Sequence, residues 1–112
     1  MIRPKRFITL FGNEVRIEFN FNALAEFCEV FGLAYVDIDN VSAFSPKKVR
    51  AFIFQALAEG ARLEDKKLDF DETKLGEVLF ADEIGECMKI YVEQSRPNIK
   101  KKEDKPTKEV EK

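Results

Sequence analysis

The sequence predicts an α+β fold, mainly α, in which an N-terminal β-hairpin precedes about four short helices. The first observation is a pair of β-rich stretches on either side of Gly12-Asn13. The second is the recurrence of apolar residues at helical spacing between Leu24 and Val92. The third is a largely polar, proline-containing composition from Pro97 onward. We therefore expect one small domain over residues 1–96 and a disordered Lys/Glu-rich tail over residues 97–112.

The hairpin is predicted from the stretches "RFITLF" and "VRIEF", which are rich in β-branched and aromatic residues. A two-residue turn at Gly12-Asn13 and a three-residue loop over residues 12–14 both fit the pattern. Their cross-strand neighbours differ: Leu10–Val15 and Ile8–Ile17 in the first, Phe11–Val15 and Phe7–Phe19 in the second. In either register, the first strand keeps apolar residues that the hairpin alone does not cover.

The first two helices carry clear signals at their ends. Asn22 is predicted to cap the first helix, which ends at Gly32. Ser45-Pro46 begins the second helix, which is predicted to run to Gly60. Their inward-facing residues are predicted to be Leu24, Phe27, Cys28 and Phe31 in the first, and Val49, Phe52, Ile53, Ala56 and Leu57 in the second. Phe54 lies outside the main apolar stripe of the second helix.

Two shorter helices are predicted after the charged loop over residues 61–69. Asp71 caps one that ends near Phe80, and Asp82 caps the last, which ends at Arg96-Pro97. The inward-facing residues are predicted to be Leu75, Val78 and Leu79 in one, and Ile84, Cys87, Met88, Tyr91 and Val92 in the other. Ile90 is the apolar residue of the last helix that falls outside its stripe.

The residues offer no pattern for catalysis, cofactor binding or metal binding. The chain has no histidine, its two cysteines have no metal-site spacing, and its five glycines form no phosphate-binding loop. The acidic stretches beginning at Asp37 and Asp69 lack the glutamate that closes a calcium loop. We therefore expect a protein without enzymatic activity, with no catalytic residue, cofactor or metal.

Charge and hydropathy also narrow the function. The net charge is −2, and the residues from Ser95 onward carry seven Lys/Arg and four Asp/Glu, so the preceding body is acidic. We do not expect nucleic-acid binding as the main function, because acidic residues interrupt the basic tail and no aromatic residue accompanies it. No apolar run is long enough to span a bilayer, so we expect no membrane partner and a cytoplasmic location.

Four apolar residues remain outside the predicted core stripes: Phe7, Phe11, Phe54 and Ile90. Two interpretations stay open for them. They could pack against one another, as apolar residues of small domains do. If they are exposed together, they form a surface that binds another protein.

The order of these pieces resembles the tail assembly chaperones of long-tailed bacteriophages, including those of prophages and gene-transfer agents. The resemblance covers residues 7–94. The matching residues are Asn22, Ala23, Leu24 and Gly32 in the first helix, Val49, Arg50, Ile53, Phe54, Ala56 and Gly60 in the second, and more loosely Thr73, Leu75, Gly76 and Val78 in the third. Two departures are the replacement of the usual leucines by phenylalanine or isoleucine, and a glycine displaced by Ala58-Glu59.

The resemblance implies a chaperone of the bacterial host cytoplasm that keeps the tape-measure protein soluble while tail-tube subunits polymerise around it. Its partners would be the tape-measure protein and tail-tube subunits, and self-association is left open. It also implies a longer frameshifted product, for which the codons of Lys100-Lys101-Lys102 would be the slippery site. The alternative is a small virion structural protein, such as a tail-completion or connector subunit. A third hypothesis is a regulator that binds nucleic acid through residues 100–112.

Overall fold

The computed structural model describes residues 4–95 and has one antiparallel hairpin followed by a series of helices. The strands are β1 (Arg6–Leu10) and β2 (Asn13–Ile17). The remaining elements are α1 (Phe21–Phe31), a 3-10 segment (Tyr35–Ala43), α2 (Pro46–Leu63), α3 (Glu72–Gly76) and α4 (Ala81–Ser95). The predicted fold class is therefore confirmed. The predicted tail, and the helix end at Arg96-Pro97, lie outside the described residues.

The hairpin turn lies at Phe11-Gly12, one position earlier than predicted. Both residues have positive φ, 54° and 78°, as the two central positions of a type I′ turn require. Leu10 consequently pairs with Asn13, and Ile8 pairs with Val15. Both predicted registers are wrong, because they placed Gly12 first in the turn and did not expect a phenylalanine at positive φ.

The inner face of the hairpin forms part of the core. Ile8, Leu10 and Ile17 are buried. Phe7 and Thr9 alternate with these residues along β1 and are exposed, since successive side chains of a strand point to opposite faces. The helices thus cover one face of the hairpin and leave the other open.

Strand β2 lies directly against the backbone of α2. The N–H of Glu18 donates a hydrogen bond to the carbonyl oxygen of Ala56, with 3.0 Å between nitrogen and oxygen. One turn further along α2, Gly60 faces the carbonyl group of Arg16. A Cβ added to Gly60 would lie 2.6 Å from the carbonyl carbon of Arg16 and closer still to its oxygen. The absence of a side chain at Gly60 is therefore what allows the two backbones to approach.

The starts of α1 and α4 differ from the prediction. Asn20, and not Asn22, caps α1 through a 3.1 Å hydrogen bond from the N–H of Ala23 to its side-chain oxygen. The predicted cap of α4 at Asp82 is also wrong, because that helix begins at Ala81. There the Glu83 carboxylate accepts a 3.0 Å hydrogen bond from the N–H of Phe80.

The other predicted helix ends agree more closely with the structure. Gly32 ends α1 with φ of 62°, and the side chains of Ser45 and Asp71 cap α2 and α3. Helix α2 runs three residues past Gly60, to Leu63. Helix α3 ends at Gly76, before the predicted end at Phe80.

Phe52 lies at the centre of an aromatic core. Its ring contacts four others, with centroid distances of 5.1 Å to Phe19, 5.1 Å to Phe27, 5.2 Å to Tyr91 and 6.0 Å to Phe44. These rings come from α1, α2, α4 and the segments beside them. Phe52 therefore links α1, α2 and α4 through contacts between aromatic rings.

The core-facing side of α4 is rotated relative to the prediction. Cys87 and Tyr91 are buried as expected, but Val92 is 52% exposed and Ile90 is 0% exposed. Ile90 is therefore a core residue. The prediction that it contributes to an exposed surface is corrected by this burial, since α4 packs against β1 and Ile90 lies on the buried side of the helix.

Replacement of Gly60 by alanine tests the backbone contact between α2 and β2. We expect Gly60→Ala to lower the free energy of unfolding by about 3 kcal/mol or more, because the new methyl group meets backbone atoms that no side-chain rotation can move. Gly85→Ala is the matched control in α4, where nothing lies within 4 Å of an added Cβ. It should raise the stability by about 1 kcal/mol.

Urea denaturation of both variants, followed by circular dichroism, measures the difference. A Gly60→Ala protein as stable as the wild type would contradict the contact.

Candidate protein-binding site

An open groove of about 600 Å³ lies between the hairpin turn and the segment that joins α2 to α3. Its apolar lining consists of Phe7, Leu10, Phe11, Val15, Ala61, Leu68 and Phe70. Its polar lining consists of Asn13, Glu14, Arg16, Glu64, Lys66, Lys67, Asp69 and Lys74. We call this feature the aromatic groove.

Three of the four residues predicted to bind a protein lie in or beside the aromatic groove. Phe7 and Phe11 line it and are 40% and 44% exposed. The ring of Phe11 lies 5.1 Å from the ring of Phe70, measured between centroids. Phe54 is half-buried and contacts Phe70 at 6.5 Å, beside a neighbouring depression. Ile90, the fourth, is in the core.

The backbone of Phe11 is in a conformation that its side chain disfavours. A non-glycine residue in the left-handed region costs about 1–2 kcal/mol, and asparagine is the residue preferred before glycine in a type I′ turn. The turn itself therefore gives no reason for a phenylalanine at this position. The ring therefore lies at the edge of the groove although its backbone conformation is strained.

A turn at the end of α2 places two lysines on the rim of the groove. The N–H of Lys66 donates to the carbonyl oxygen of Ala61 at 2.8 Å, and the N–H of Asp65 donates to that of Arg62 at 3.0 Å. With Asp65 at φ of 62°, these bonds form a Schellman motif. The motif ends the helix abruptly, so that Lys66 and Lys67 lie beside Leu68 and Phe70.

An ion-pair network ties the hairpin to the end of α2. The Glu64 carboxylate lies 2.8 Å from Nη1 of Arg16 and 3.1 Å from Nζ of Lys5. Hydrogen bonds from Lys5 and Arg16 lower the pKa of Glu64 below its ordinary value. Glu64 therefore remains ionised and keeps two basic groups beside the groove.

A buried carboxylate holds α1 against α2. Glu59 accepts hydrogen bonds from Nε and Nη2 of Arg62, at 2.9 and 2.8 Å, and from Nδ2 of Asn20 at 2.7 Å. The bond from Arg62 is the main reason that the pKa of Glu59 falls to about 2. Asn20 thus caps α1 and anchors it to α2 at the same time.

Gln94 fixes the chain where it leaves β2, a role that the sequence analysis missed. Its side-chain oxygen accepts a 2.7 Å hydrogen bond from the N–H of Phe19, and its amide group donates to the carbonyl oxygen of Ile17 at 3.4 Å. A polar residue near the end of an amphipathic helix carries no local signal of such a contact. Its burial depends on residues more than seventy positions away.

Two further features were not predicted. Leu68 lies in the segment that the sequence analysis interpreted as a charged loop, and Phe70 follows that segment. The only sequence signal that these two residues line a groove was their spacing as a pair of apolar residues two positions apart. Phe21 and Tyr35 form a second exposed aromatic pair, with ring centroids 5.5 Å apart. Val36 beside them is 69% exposed. Residues 4–95 therefore include a second exposed apolar surface besides the aromatic groove.

The two cysteines are free thiols. Burial, followed by the charge of Glu86 and Glu83, raises the pKa of Cys87 to about 12. Burial and the charge of Asp37 also raise the pKa of Cys28. Both are therefore protonated at neutral pH, the form that is not nucleophilic.

Within residues 4–95, no three His, Cys, Asp or Glu side chains are grouped so as to hold a metal ion. In the same part of the chain, every helix is too short or too polar to cross a membrane.

Replacement of Phe11 by asparagine distinguishes the contribution of the turn conformation to stability from that of the aromatic ring. We expect Phe11→Asn to change the free energy of unfolding by less than about 1 kcal/mol. The relief at positive φ offsets the loss of the contact with Phe70, since an aromatic pair is worth about 0.5–1.5 kcal/mol. Phe11→Val is the control, because a β-branched residue keeps the strain and loses the ring. It should be less stable than Phe11→Asn. Equal stabilities in urea denaturation would contradict the type I′ turn.

The Glu59 carboxylate predicts a specific dependence of stability on pH. Its pKa is about 2 in the folded protein and 4.5 ordinarily, so its contribution is complete above pH 4.5 and is lost as the pH falls toward 2. Glu59→Gln should lower the free energy of unfolding at neutral pH by about 2 kcal/mol and reduce its slope across this interval. Glu26→Gln, at an exposed position of α1, should keep the wild-type profile. Identical slopes for Glu59→Gln and wild type would refute this role.

No protein-family model, curated protein or solved structure matches this chain. The features that bear on function are the aromatic groove, the second aromatic surface and the sequence resemblance.

Proposed function

We propose that this chain is a tail assembly chaperone of a long-tailed phage or prophage, and that it acts in the bacterial cytoplasm. It binds apolar segments of the tape-measure protein and keeps that protein soluble until tail-tube subunits enclose it. The observation that carries the proposal is the aromatic groove, in which Phe7 and Phe11 remain 40% and 44% exposed. The groove supports protein binding, and the order of the sequence elements supports the identity of the partner.

The groove has the surface chemistry that a chaperone of this kind requires. Apolar side chains of a partner would remove the rings of Phe7, Phe11 and Phe70 from water, at a gain of roughly 25 cal/mol for each Å² buried. The charged residues on the rim keep the complex soluble, because they remain in water while the apolar floor is covered. Apolar contact does not depend on one sequence, so a single groove can serve many segments of a long partner.

The size of the groove suits reversible binding. A stable protein interface buries about 1,200–2,000 Å² in total, whereas a groove lined by a few aromatic rings offers much less. A contact of this size dissociates readily. Dissociation is required if tail-tube subunits are to replace the chaperone on the tape-measure protein.

A virion structural subunit is the second candidate, and the second aromatic surface favours it. Phe21, Tyr35 and Val36 are each more than 60% exposed, on elements that do not line the aromatic groove. A tail-completion or connector subunit contacts a neighbour on each side and therefore needs two such surfaces. Analysis of purified particles separates the candidates, because a chaperone is absent from finished particles and a structural subunit is retained.

Co-expression tests the chaperone directly. The chain should raise the soluble fraction of the longest coiled-coil-rich protein encoded just downstream, and should co-purify with it. Phe7→Ser combined with Phe11→Asn should abolish the rescue, because it removes the exposed rings of the groove. Phe80→Ser is the matched control, since Phe80 is 68% exposed and lies outside the groove.

Circular dichroism of each variant confirms that the fold is retained. Rescue that survives in the groove variant would overturn the assignment of the binding surface. An absence of rescue by the wild type, with the chain present in particles, would establish the structural subunit instead.

A further inference from the structure

We propose that the aromatic groove takes an apolar partner segment with acidic flanks, and that Lys66 and Lys67 contact those flanks. This inference rests on the proposed function, because it presupposes a protein segment in the groove. It specifies the charge on the flanks of that segment. This charge would determine which parts of a long partner are bound first.

The charges of the chain are distributed unevenly around the groove. Residues 4–95 contain eleven Lys/Arg and seventeen Asp/Glu. Four of the basic residues and three of the acidic residues line the groove. The lining therefore has a net charge of +1, whereas the rest of the described chain has a net charge of −7. Among residues 4–95, the net charge of the groove lining therefore favours an acidic segment, whereas the net charge of the remaining residues opposes it.

The acidic residues of the lining differ in how far they are neutralised. Glu64 pairs with Arg16 at 2.8 Å and with Lys5 at 3.1 Å, so its charge is compensated within the protein. Glu14 and Asp69 are the other two acids of the lining, and both are exposed. The same lining carries three lysines.

Two of these lysines are available to a partner. Lys66 and Lys67 are exposed, and neither forms an ion pair with any residue in the range 4–95. The third, Lys74, lies 3.8 Å from Glu77 with both side chains largely exposed, a pair that contributes little. A carboxylate from a partner therefore replaces only water at Lys66 and Lys67.

The position of these lysines couples charge to apolar contact. The Schellman motif holds the backbone of Lys66 by its hydrogen bond to Ala61, and Leu68 and Phe70 follow within four residues. All these side chains line the same groove. A segment that covers Leu68 and Phe70 therefore lies next to Lys66 and Lys67, and complementary charge on its flanks would set its preference and association rate.

A pair of peptides tests the charge of the partner. Both carry a fluorescein label and the same apolar core, and they differ only in flanks of glutamate or lysine. In fluorescence anisotropy titrations with the full chain, we expect the glutamate-flanked peptide to bind about tenfold more tightly at low salt. The preference should shrink as salt is added, because the flanking contacts are exposed to solvent.

Charge reversal at the rim assigns this preference to its residues. Lys66→Glu combined with Lys67→Glu should abolish or invert the preference. Lys47→Glu combined with Lys48→Glu is the matched control, because it reverses an identical dipeptide at the start of α2, outside the groove. The control should retain the preference of the wild type.

The outcomes distinguish this inference from the proposed function. If both peptides bind with equal affinity and Phe11→Asn weakens the binding of both, apolar binding in the groove is supported. The preference for acidic flanks is then overturned. A preference that persists after reversal of Lys66 and Lys67 would also overturn the inference. Binding of neither peptide would overturn the proposed function, and this inference with it.

Discussion

The position of the hairpin, and therefore of the groove, depends on the direct backbone contact between β2 and α2. The hydrogen bond from Glu18 to the carbonyl oxygen of Ala56 and the absence of a Cβ at Gly60 bring strand and helix closer than side chains would permit. This contact directs the hairpin turn toward the C-terminal end of α2. The turn then faces the segment that leaves α2, and the space between them is the aromatic groove.

Polar contacts hold the remaining elements relative to that backbone contact. Gln94 on α4 binds the chain on both sides of Glu18, so the exit from β2 is held by two helices. The Glu59 carboxylate joins α2 to the start of α1 through Asn20, while Arg62 of its own helix neutralises it. Each buried polar group has a specific geometry, whereas apolar packing alone would tolerate small displacements. The floor of the groove is consequently attached to a well-defined scaffold, while its lysine rim is exposed.

What the sequence could predict follows the range of the interactions involved. Gly32, Ser45 and Asp71 were identified correctly because a helix end is determined by residues within one turn of it. Asn20 and Asn22 are both able to cap α1 by residue type, and both side chains also donate to the distant Glu59, at 2.7 and 3.4 Å. Ile90 was misplaced because periodicity defines a stripe but not which neighbours cover it. Phe7 and Phe11 were identified as uncovered by the hairpin, whereas Phe70 was not, since it contacts Phe11 only in the folded chain.

Phe11 links the stability of the fold to its proposed role. A phenylalanine at positive φ costs about 1–2 kcal/mol, which asparagine at the same position would largely avoid. Complete burial of a phenylalanine side chain is worth about 1.5–3 kcal/mol, and the ring of Phe11 is still 44% exposed. The isolated chain therefore gains only part of the free energy that complete burial of the Phe11 ring would provide. The proposed partner, by covering the ring, would supply a gain of the same order as the backbone cost, so the strained turn is consistent with the proposed binding role.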